Sequence, residues 1–343
     1  MWRFFIFIPF LSYMKLHFQI VRLKLKETFS ISYGSYSHRD ALVVSLSKNG
    51  SAGYGECTAI DYYGIDLNVF ILKLESIKSL LEKKDIIHPI EFYVFLESVN
   101  LHSFLRSALD CAYWDLFGKL ENKSFLELNS ISYNKLTESS ITISIDSLEN
   151  QIKKIKKSDW NYFKVKCSHF DEKSIHEYLN THKNIALDAN CSFSVENCKF
   201  LEEQPFTEQI TYIEQPLEIN SFKNLNANKF PNWMADEDCQ DETSISKLKN
   251  HYSTLNLKLV KLGGLTPALQ FIDKAKANDF KIMIGCMTES TIGISAGAVL
   301  TPFVDFVDLD GANLISNDVA NGSFIERGRI ILSEKPGLGI SIK

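Results

Sequence analysis

Residues 162–190 read YFKVKCSHFDEKSIHEYLNTHKNIALDAN, and their pattern indicates the fold class. Two short apolar runs, Tyr162–Cys167 and Ile185–Ala189, have the length of buried strands. The segment between them, Lys173–Asn180, is amphipathic with the periodicity of a helix. The stretch therefore predicts one strand–helix–strand unit of a parallel sheet.

The same unit recurs through the second half of the chain. A landmark residue, in most cases charged, ends each apolar run, and the successive gaps are 22, 26, 22, 22, 27 and 23 residues. This is the length of one strand, one helix and two loops, so we predict an α/β fold, a β/α barrel of the (β/α)8 type. The landmarks are Lys166, Asp188, Glu214, Asp236, Lys258, Gly285 and Asp308. The predicted strands are Ile141–Ile145, Tyr162–Cys167, Ile185–Ala189, Tyr212–Gln215, Trp233–Asp236, Leu255–Leu259, Lys281–Gly285 and Asp305–Leu309.

Residues 14–122 predict a separate α+β capping domain. The runs Ala41–Leu46 and Ala52–Cys57 flank an Asn49-Gly50 pair, which is a strong hairpin signal. Three stretches of helical periodicity follow. We assign the barrel to residues 123–314 and expect residues 315–343 to return to the cap. The predicted cap helices are Val69–Leu81, Ile90–Val99 and Phe104–Leu120.

The first residues of the chain form an apolar run that precedes the predicted first strand. The apolar run 2–12 resembles the front of a signal peptide, but no small-residue cleavage site follows, and it falls short of the ~20 apolar residues that span a bilayer. From Met14 onward the sequence already alternates as a first strand. We therefore expect residues 1–13 to be a non-native or disordered extension.

Composition excludes several classes of protein. With 343 residues, 45% hydrophobic and 23% charged, the chain has the composition of a globular enzyme. A net charge of −5 offers no basic surface for nucleic acid, and we expect no membrane partner. Seven scattered cysteines without CxxC spacing indicate neither a disulfide framework nor a zinc site, so we expect a cytoplasmic protein.

Three carboxylates end consecutive predicted strands. Asp188, Glu214 and Asp236 should therefore lie side by side at the carboxyl end of the barrel. Carboxylates that close repel one another unless a cation neutralises them, and an all-oxygen set suits Mg²⁺. We predict a magnesium site here. Further candidates near it are Asn190, Glu237 and Asp238.

Lysines flank this predicted site. Lys164 and Lys166 lie two apart in a strand and point to the same side, so each should lower the pKa of the other and favour a neutral amine that accepts a proton. Lys258 lies four strands further round and should approach from the opposite side. Lys261 follows it, and we interpret it as a surface lysine or a brace of the loop. Two opposed amines beside a metal suit removal of a proton α to a carboxylate on one face and its return on the other.

The motifs resemble those of the enolase superfamily. KVK, LDAN, IEQP, ADED and LKLVKLGG occur in order along the barrel and are similar to the muconate-lactonizing subgroup. In the cap, YGE at Tyr54–Glu56 and ALDCAYWDLFGK at Ala108–Lys119 match that subgroup too. Within it, GCMTES at Gly285–Ser290 and VDLDG at Val307–Gly311 look like the dipeptide epimerases. The resemblance implies a modified (β/α)7β barrel.

The resemblance also implies an activity and its residues. Lys166 and Lys258 would be the bases, and Mg²⁺ would bind the three carboxylates. Removal of the α-proton turns the substrate carboxylate into an enediolate, and Lys164 would help to hold its oxygens. The substrate would be a dipeptide epimerised at the Cα of its C-terminal residue. Its free ammonium would bind Asp308 and Asp310. Met287, Thr288 and Glu289 lie in the matching GCMTES motif and are further candidates for substrate contact.

The loop Phe29–Asp40, FSISYGSYSHRD, departs from the family pattern. Tyr33 aligns where epimerases acting on Ala-Glu often carry an arginine for the acidic side chain, and Arg39 comes several residues later. With Tyr33 and Tyr36 in the loop, we expect a small, apolar or aromatic second residue rather than glutamate. Phe29 would pack the cap onto the barrel.

Other functions on the same scaffold stay open at this point. An o-succinylbenzoate synthase or a cycloisomerase would act on substrates without an ammonium and would have no evident use for Asp308 and Asp310. An N-acylamino-acid racemase would use the same bases and metal. A protein of another class, a non-catalytic binder of a small acid or peptide, would be favoured by missing ligands or bases, but all five groups are present. The family often forms homo-oligomers.

Overall fold

The cap begins with antiparallel strands. In this computed structural model, which describes residues 13–31, 34–133 and 136–343, β1 pairs with β2 and β2 with β3. Asn49 and Gly50 connect β2 to β3 with φ values of 52° and 81°, the left-handed pair that a tight hairpin turn requires. The first strand has a shift of register between Lys24 and Phe29. The strands are β1 (Lys15–Ile31), β2 (Gly34–Lys48) and β3 (Ser51–Thr58).

Helices of the cap pack against this sheet. The long helix α3 is buried along most of its length and lies against β3. A Cβ atom at Gly55 would lie 1.9 Å from the carbonyl oxygen of Ala108, so the helix and β3 approach closely only because this residue is glycine. The helices are α1 (Leu67–Glu82), α2 (Pro89–Ser98), α3 (Ser103–Glu121) and α4 (Phe125–Leu128).

The described residues contain eight parallel strands that follow one another in chain order around a barrel. Ser139 and Ser140 close it, since Ser139 forms a bridge with Val307 and the Ser140 N–H donates to the Val307 carbonyl at 2.9 Å. Each strand lies where the sequence places it, within two residues, and the predicted barrel is confirmed. The strands are β4 (Ile141–Ile143), β5 (Tyr162–Lys166), β6 (Asn184–Asp188), β7 (Ile213–Glu214), β8 (Trp233–Ala235), β9 (Thr254–Leu257), β10 (Lys281–Gly285) and β11 (Phe306–Asp308).

Helices alternate with these strands and cover the barrel. In α5, the buried residues Gln151 and Ile155 are four positions apart, which directs one face of an otherwise charged helix to the barrel. Within the part of the chain described here, no helix has the length and apolar character needed to cross a membrane. The helices are α5 (Leu148–Lys157), α6 (Glu172–Leu179), α7 (Val195–Glu202), α8 (Ser244–Leu248), α9 (Leu259–Leu262), α10 (Leu265–Lys276), α11 (Thr291–Ala298) and α12 (Gly311–Leu314).

Buried carboxylates join the cap to the barrel. Asp110 of α3 accepts hydrogen bonds from the Thr266 N–H at 2.9 Å and from its hydroxyl at 2.8 Å. Glu56 of β3 accepts from the N–H of Ser290 at 3.0 Å and from the Ser290 hydroxyl. Ser290 caps the N-terminus of α11, so Glu56 connects the cap directly to a barrel helix.

The last residues run back along the cap. The Lys24 N–H donates to Asn317 Oδ1 at 2.7 Å, which ties the tail to β1. The Leu338 N–H donates to Asp115 Oδ1 at 2.8 Å, which ties it to α3. The division of the chain into domains after residues 122 and 314 stays a prediction. The prediction that residues 1–13 are a non-native or disordered extension lies outside the described residues, apart from Tyr13. The tail strands are β12 (Ala320–Asn321), β13 (Phe324–Glu326), β14 (Arg329–Ile331) and β15 (Ser341–Ile342).

Candidate active site

The strand order brings the predicted carboxylates together. Asp188 and Glu214 are paired residues at the ends of β6 and β7, and Asp236 directly follows β8. All of them are at most 3% exposed. The carboxyl ends of adjacent parallel strands lie at one end of a barrel, so these side chains lie at the same rim.

Two lysines face each other across this rim. Lys166 Nζ lies 2.5 Å from Asp188 Oδ2 and donates to Asn190 Oδ1 at 3.0 Å. Lys258 Nζ lies 2.8 Å from Asp236 Oδ2. Lys166 ends β5 and Lys258 follows β9, which are opposite positions in an eight-stranded barrel, and both side chains line one cavity of about 80 Å³. The arrangement offers an amine to either face of a molecule held between them.

Lys164 lies deeper and is surrounded by carboxylates. It forms an ion pair with Asp308 and lies 3.3 Å from Glu214 Oε2 and 3.6 Å from Asp188 Oδ2. Burial alone would lower the pKa of Lys164, but these negative charges outweigh burial and raise it well above its ordinary value. The prediction that neighbouring lysines depress its pKa is therefore wrong, because the nearest charges are carboxylates.

Lys261 is buried, so of its two interpretations the surface lysine is wrong and the brace of the loop is confirmed. Its Nζ donates to the carbonyl and to Oδ1 of Asp236, each at 2.7 Å. Burial would raise the pKa of Asp236, but the ammonium groups of Lys258 and Lys261 hold it well below its usual range. Lys261 thus keeps the Asp236 carboxylate ionised and fixes the loop that carries Lys258.

The carboxylates of the rim fit a cation. Their side chains point toward lysines. Among the described residues, no three acidic, histidine or cysteine side chains lie close enough together to form a complete metal site. However, Glu214 Oε2 is buried and accepts no hydrogen bond, and its ion pair with Lys164 is its one described contact with a cation. Burial and the charge of Asp188 raise the pKa of Glu214 to about 7. A bound cation would satisfy this oxygen and balance the charge, so the donor set suits a hard cation such as Mg²⁺.

The neighbouring polar residues have different surroundings. Asp238 accepts hydrogen bonds from the Tyr252 hydroxyl at 2.9 Å and from the Gln215 side chain at 2.9 Å, so it braces the loop after β8. Glu237 Oε1 accepts from the Asn190 amide at 3.1 Å, whereas its Oε2 is buried without a hydrogen bond. Burial and the charge of Asp236 raise the pKa of Glu237 to about 8.

Asp308 and Asp310 lie at the seam where the barrel closes. Ser140 donates its hydroxyl to Asp308 Oδ1 at 2.7 Å, and the Thr142 N–H donates to Asp310 Oδ2 at 2.6 Å. Burial and the charge of Asp308 raise the pKa of Asp310 to about 7. The sequence reasoning missed Ser140 and Thr142. The signal that could have found them is closure itself, which places the first barrel strand beside the last.

The loop of the cap contributes to the cavity. Phe29 and Tyr36 are paired residues of β1 and β2, and both line the cavity, so Phe29 does more than pack the cap onto the barrel. Arg39 also lines it, with its guanidinium 4.1 Å from the centre of the Tyr36 ring and bonded to the Ala59 carbonyl at 3.0 Å. Tyr33 lies outside the described residues.

The loop after β10 supplies Met287 and Thr288 to the lining. Glu289 instead accepts a hydrogen bond from the Met287 N–H at 3.0 Å and is not part of the lining. Burial, followed by the charge of Glu56, raises the pKa of Glu289 to about 8. The remaining lining residues are Ile60, Thr142, Lys164, Asn190, Asp236, Cys286, Asp308, Asp310 and Leu314.

Comparison with known proteins identifies the family. Residues 148–343 match the enolase C-terminal domain-like family. A Maribacter protein named L-Ala-D/L-amino acid epimerase is 38% identical over 93% of this chain and 97% of its own length. A Flavobacterium johnsoniae protein of the same name is 34% identical over 96% of this chain and its full length. The crystal structure of a dipeptide epimerase from Methylococcus capsulatus, complexed with Mg and L-Arg-D-Lys, superposes with a TM-score of 0.87 at 25% identity, covering 96% and 99% of the two chains.

The chain belongs to the enolase C-terminal domain-like family. The predicted resemblance to the dipeptide epimerases of the enolase superfamily is confirmed. So is the predicted enzyme class, an isomerase of the racemase and epimerase type.

Proposed function

We propose that this protein is a Mg²⁺-dependent dipeptide epimerase that inverts the Cα of the C-terminal residue. The observation that carries the proposal is the position of Lys166 and Lys258 on opposite sides of one cavity. An enzyme that only removes a proton needs one base, whereas inversion at carbon needs an acid and a base on opposite faces. Relatives named as dipeptide epimerases support the same assignment.

Asp188, Glu214 and Asp236 would hold the Mg²⁺. When bound, the ion would act as a Lewis acid on the substrate carboxylate and make the adjacent C–H more acidic. Mg is present with a dipeptide in the structures of the epimerases from Methylococcus capsulatus and Enterococcus faecalis.

The lysines would carry the proton. In one direction, neutral Lys166 accepts the Cα proton and becomes an ammonium, while the Lys258 ammonium donates a proton to the opposite face and becomes neutral. The reverse reaction exchanges these roles, and the total number of protons on the two lysines is unchanged. The Lys164 ammonium would stabilise the negative charge of the enediolate that forms between the two transfers.

Asp308 and Asp310 would bind the free ammonium of the substrate. Both are buried and lie at the carboxyl end of β11, beside the cavity that Lys166 also lines. Two carboxylates at one side of the cavity suit a cationic group held away from the reacting carbon. Substrates of an o-succinylbenzoate synthase, a cycloisomerase or an N-acylamino-acid racemase have no such group, so the pair favours a dipeptide.

The second residue of the dipeptide would be small, apolar or aromatic rather than glutamate. Phe29, Tyr36 and Ile60 supply apolar surface to the cavity. Arg39 also lines the cavity, where its guanidinium stacks on Tyr36 and donates to the Ala59 carbonyl, while its Nε is buried without a hydrogen-bond partner. The proposed preference therefore rests on the apolar lining.

Proton NMR in D₂O tests the proposal. The protein with Mg²⁺ would be offered L-Ala-Xaa dipeptides, including L-Ala-L-Leu, L-Ala-L-Phe and L-Ala-L-Glu. We expect the α-proton signal of the C-terminal residue to disappear and signals of the diastereomer to appear, fastest for apolar residues, and EDTA to stop both changes. Exchange that persists in EDTA would contradict the role of the metal. Binding of dipeptides without exchange would indicate a non-catalytic protein, and turnover of N-acylamino acids alone would overturn the role of Asp308 and Asp310.

A further inference from the structure

A buried glutamine directly follows one of the carboxylates that would hold the metal. Gln215 comes after Glu214 at the end of β7, and its side chain is fully buried. Its φ value is 36°, in the left-handed region that residues other than glycine rarely adopt. Strain of this kind persists only where the surrounding contacts hold it, and it is found mainly at functional sites. Gln215 belongs to the IEQP motif, but the reaction proposed above gives it no role.

The regular pairing of β7 with β8 ends at Gln215. Its N–H donates to the Met234 carbonyl at 2.8 Å, which is a regular bond of the parallel ladder. The next bond of such a ladder would run from the Asp236 N–H to the Gln215 carbonyl. That carbonyl instead accepts from the Cys191 N–H at 2.8 Å, in the loop after β6. The N–H of Asp236 therefore needs another acceptor.

The side chain of Gln215 supplies this acceptor. Its Oε1 accepts hydrogen bonds from the N–H groups of Asp236 at 3.1 Å and Asp238 at 3.0 Å. Its Nε2 donates to the Leu217 carbonyl and to Asp238 Oδ2, each at 2.9 Å. The oxygen of an amide only accepts and its nitrogen only donates, so these partners fix the orientation of the amide. The side chain thus extends the pairing of β7 with β8 by one residue.

Asp238 anchors the nitrogen end of this amide. Its carboxylate also accepts from the Asn220 N–H at 2.8 Å and from the Tyr252 hydroxyl at 2.9 Å. Hydrogen bonds to a charged group are stronger than those between neutral groups. The Gln215 side chain is therefore held at both ends and has one position available to it.

This one residue connects the three strands that carry the carboxylates. Its main-chain carbonyl holds the loop that follows Asp188 in β6. Its peptide bond joins it to Glu214 in β7, and its side chain holds the backbone of Asp236 after β8. Mg²⁺ requires nearly ideal octahedral geometry, so its affinity depends on how well the ligand oxygens are spaced before it binds. Gln215 does not line the cavity between the lysines, so it acts on the substrate only through the carboxylates.

We propose that Gln215 is a positioning residue of the metal site, which sets the spacing of the Glu214 and Asp236 carboxylates and thereby the affinity for Mg²⁺. The inference rests on the proposed function in one respect, the binding of Mg²⁺ by these carboxylates. It adds a residue that contacts neither the metal nor the dipeptide and whose effect appears in metal affinity.

The experiment measures the dissociation constant of Mg²⁺ by isothermal titration calorimetry with MgCl₂ alone, for the wild type and for two variants. Gln215→Met has a similar volume and removes every hydrogen bond of the side chain. Gln215→Asn keeps the amide but is one methylene too short to reach the Asp236 N–H. Asparagine tolerates a left-handed backbone, so this variant replaces Gln215→Met if that one does not fold.

Gln151→Met is the matched control. Gln151 is also buried, and its side chain accepts from the Tyr178 hydroxyl at 2.5 Å and donates to the Ser144 carbonyl at 3.0 Å. It lies in α5, outside the barrel, and its contact with the Lys166 carbonyl is long, at 3.5 Å. Urea unfolding in EDTA would show how much stability each variant loses. A purely structural glutamine lowers stability without changing the affinity for the metal.

We expect Gln215→Met and Gln215→Asn to raise the dissociation constant of Mg²⁺ by about 10–100-fold, the usual effect of losing a contact that orients metal ligands. Gln151→Met should change it by no more than about twofold, since sites without shared partners act independently. The Mg²⁺ concentration for half-maximal epimerisation should rise by the same factor as the dissociation constant. Excess Mg²⁺ should restore kcat to within about threefold of the wild type, because the bases are untouched.

Two results would overturn the inference. In the first, the folded Gln215 variants bind Mg²⁺ as tightly as the wild type. In the second, Gln151→Met weakens Mg²⁺ binding as much as the Gln215 variants do, which would assign the effect to a general loss of stability. A wild type that binds Mg²⁺ but exchanges the α-proton of no dipeptide would, in contrast, contradict the proposed function, and weaker Mg²⁺ binding by the Gln215 variants would still support the role of Gln215.

Discussion

Two sets of buried carboxylates, Asp188 and Asp236 at the rim of the barrel and Asp110 and Glu56 at the junction between barrel and cap, have different partners. At the rim, Asp188 and Asp236 lie against lysine ammonium groups at 2.5 and 2.8 Å. At the junction, Asp110 and Glu56 accept hydrogen bonds from backbone N–H groups and hydroxyls of Thr266 and Ser290. Ion pairs can exchange protons with a substrate, whereas neutral donors only hold a carboxylate in place. Changes at the rim should therefore affect the reaction, and changes at the junction should affect stability.

The largest effect should come from the two opposed lysines. We expect Lys166→Ala and Lys258→Ala each to reduce kcat/KM for epimerisation by about 10²–10⁴-fold, the usual contribution of a general acid or base. Exchange of the Cα proton for deuterium in D₂O separates their roles. Each variant should lose this exchange when the reaction starts from one epimer and retain part of it when the reaction starts from the other. Full activity in either variant would contradict the two-base mechanism. Circular dichroism would check that the fold is retained.

A substitution of Lys261 tests whether a lysine at the rim also stabilises the fold. Lys261→Met removes a buried partner of Asp236 and should lower the free energy of unfolding by about 3–5 kcal/mol, as breaking a buried ion pair does. Lys274→Met is the matched control, since Lys274 forms an ion pair with Glu242 in which both side chains are more than half exposed. It should cost at most about 1 kcal/mol in urea unfolding. Equal stability of the two variants would show that Lys261 adds nothing to the rim.

Two adjacent serines at the barrel seam differ in the group that each contacts. Ser140 donates to the Asp308 carboxylate, whereas the Ser139 hydroxyl accepts from the backbone N–H of Leu309 at 2.9 Å. Ser140→Ala should leave Asp308 Oδ1 without its donor, a loss of about 1–3 kcal/mol, and raise KM for dipeptides more than it lowers kcat.

Ser139→Ala should lower stability and leave the ratio of KM to kcat unchanged, and Ser140→Thr should restore KM. If the two alanine variants gave the same kinetics, Ser140 would have no particular role in positioning Asp308.

The smallest effect concerns the junction and depends on pH. Burial raises the pKa of Asp110 to about 7, although hydrogen bonds from Thr266 act to lower it. A carboxyl group whose pKa is higher in the folded state binds more protons when folded, so its contribution to stability is present below about pH 4 and is lost as pH rises to about 7. The free energy of unfolding of the wild type relative to Asp110→Asn should thus fall over this range, by at most about 1.4 kcal/mol per pH unit.

Chemical denaturation of both proteins between pH 4 and 8 measures this difference. A difference in unfolding free energy that does not change with pH would indicate that Asp110 has an ordinary pKa. A change in kcat at fixed pH would contradict the expectation that changes at the junction affect stability and not the reaction.

The sequence predicted the barrel well because its signals are local. Each strand is a short apolar run ended by a distinctive residue, and spacing alone gave the order around the barrel. The ends of the strands differed by one or two residues, as for Tyr162–Cys167, which ends at Lys166. Hydrogen bonding at strand ends depends on the neighbouring strand, which local sequence does not specify.

The site was predicted only in part, because the signals in the sequence are local. The residues that close each strand could be recognised by type, but their contacts across the barrel could not. Lys261 could not be told apart from a surface lysine because its partner, Asp236, lies 25 residues away. Ser140 was missed because its partner, Asp308, lies 168 residues away and becomes a neighbour only when the barrel closes. Arg39 was assigned to no contact because its position depends on how the cap loop folds over the rim.

The contact between β1 and the tail has a consequence during protein synthesis. Lys24 bonds to Asn317, which is 293 residues further along the chain, and Leu25 forms a bridge with Ile315. A ribosome adds roughly 5–20 residues per second, so this edge of β1 waits roughly 15–60 s for its partner. Unpaired strand edges invite aggregation, and lysines on such an edge oppose it. Lys24 and Lys26, both exposed, are therefore placed to keep the nascent chain from associating until residues 315–317 have been synthesised.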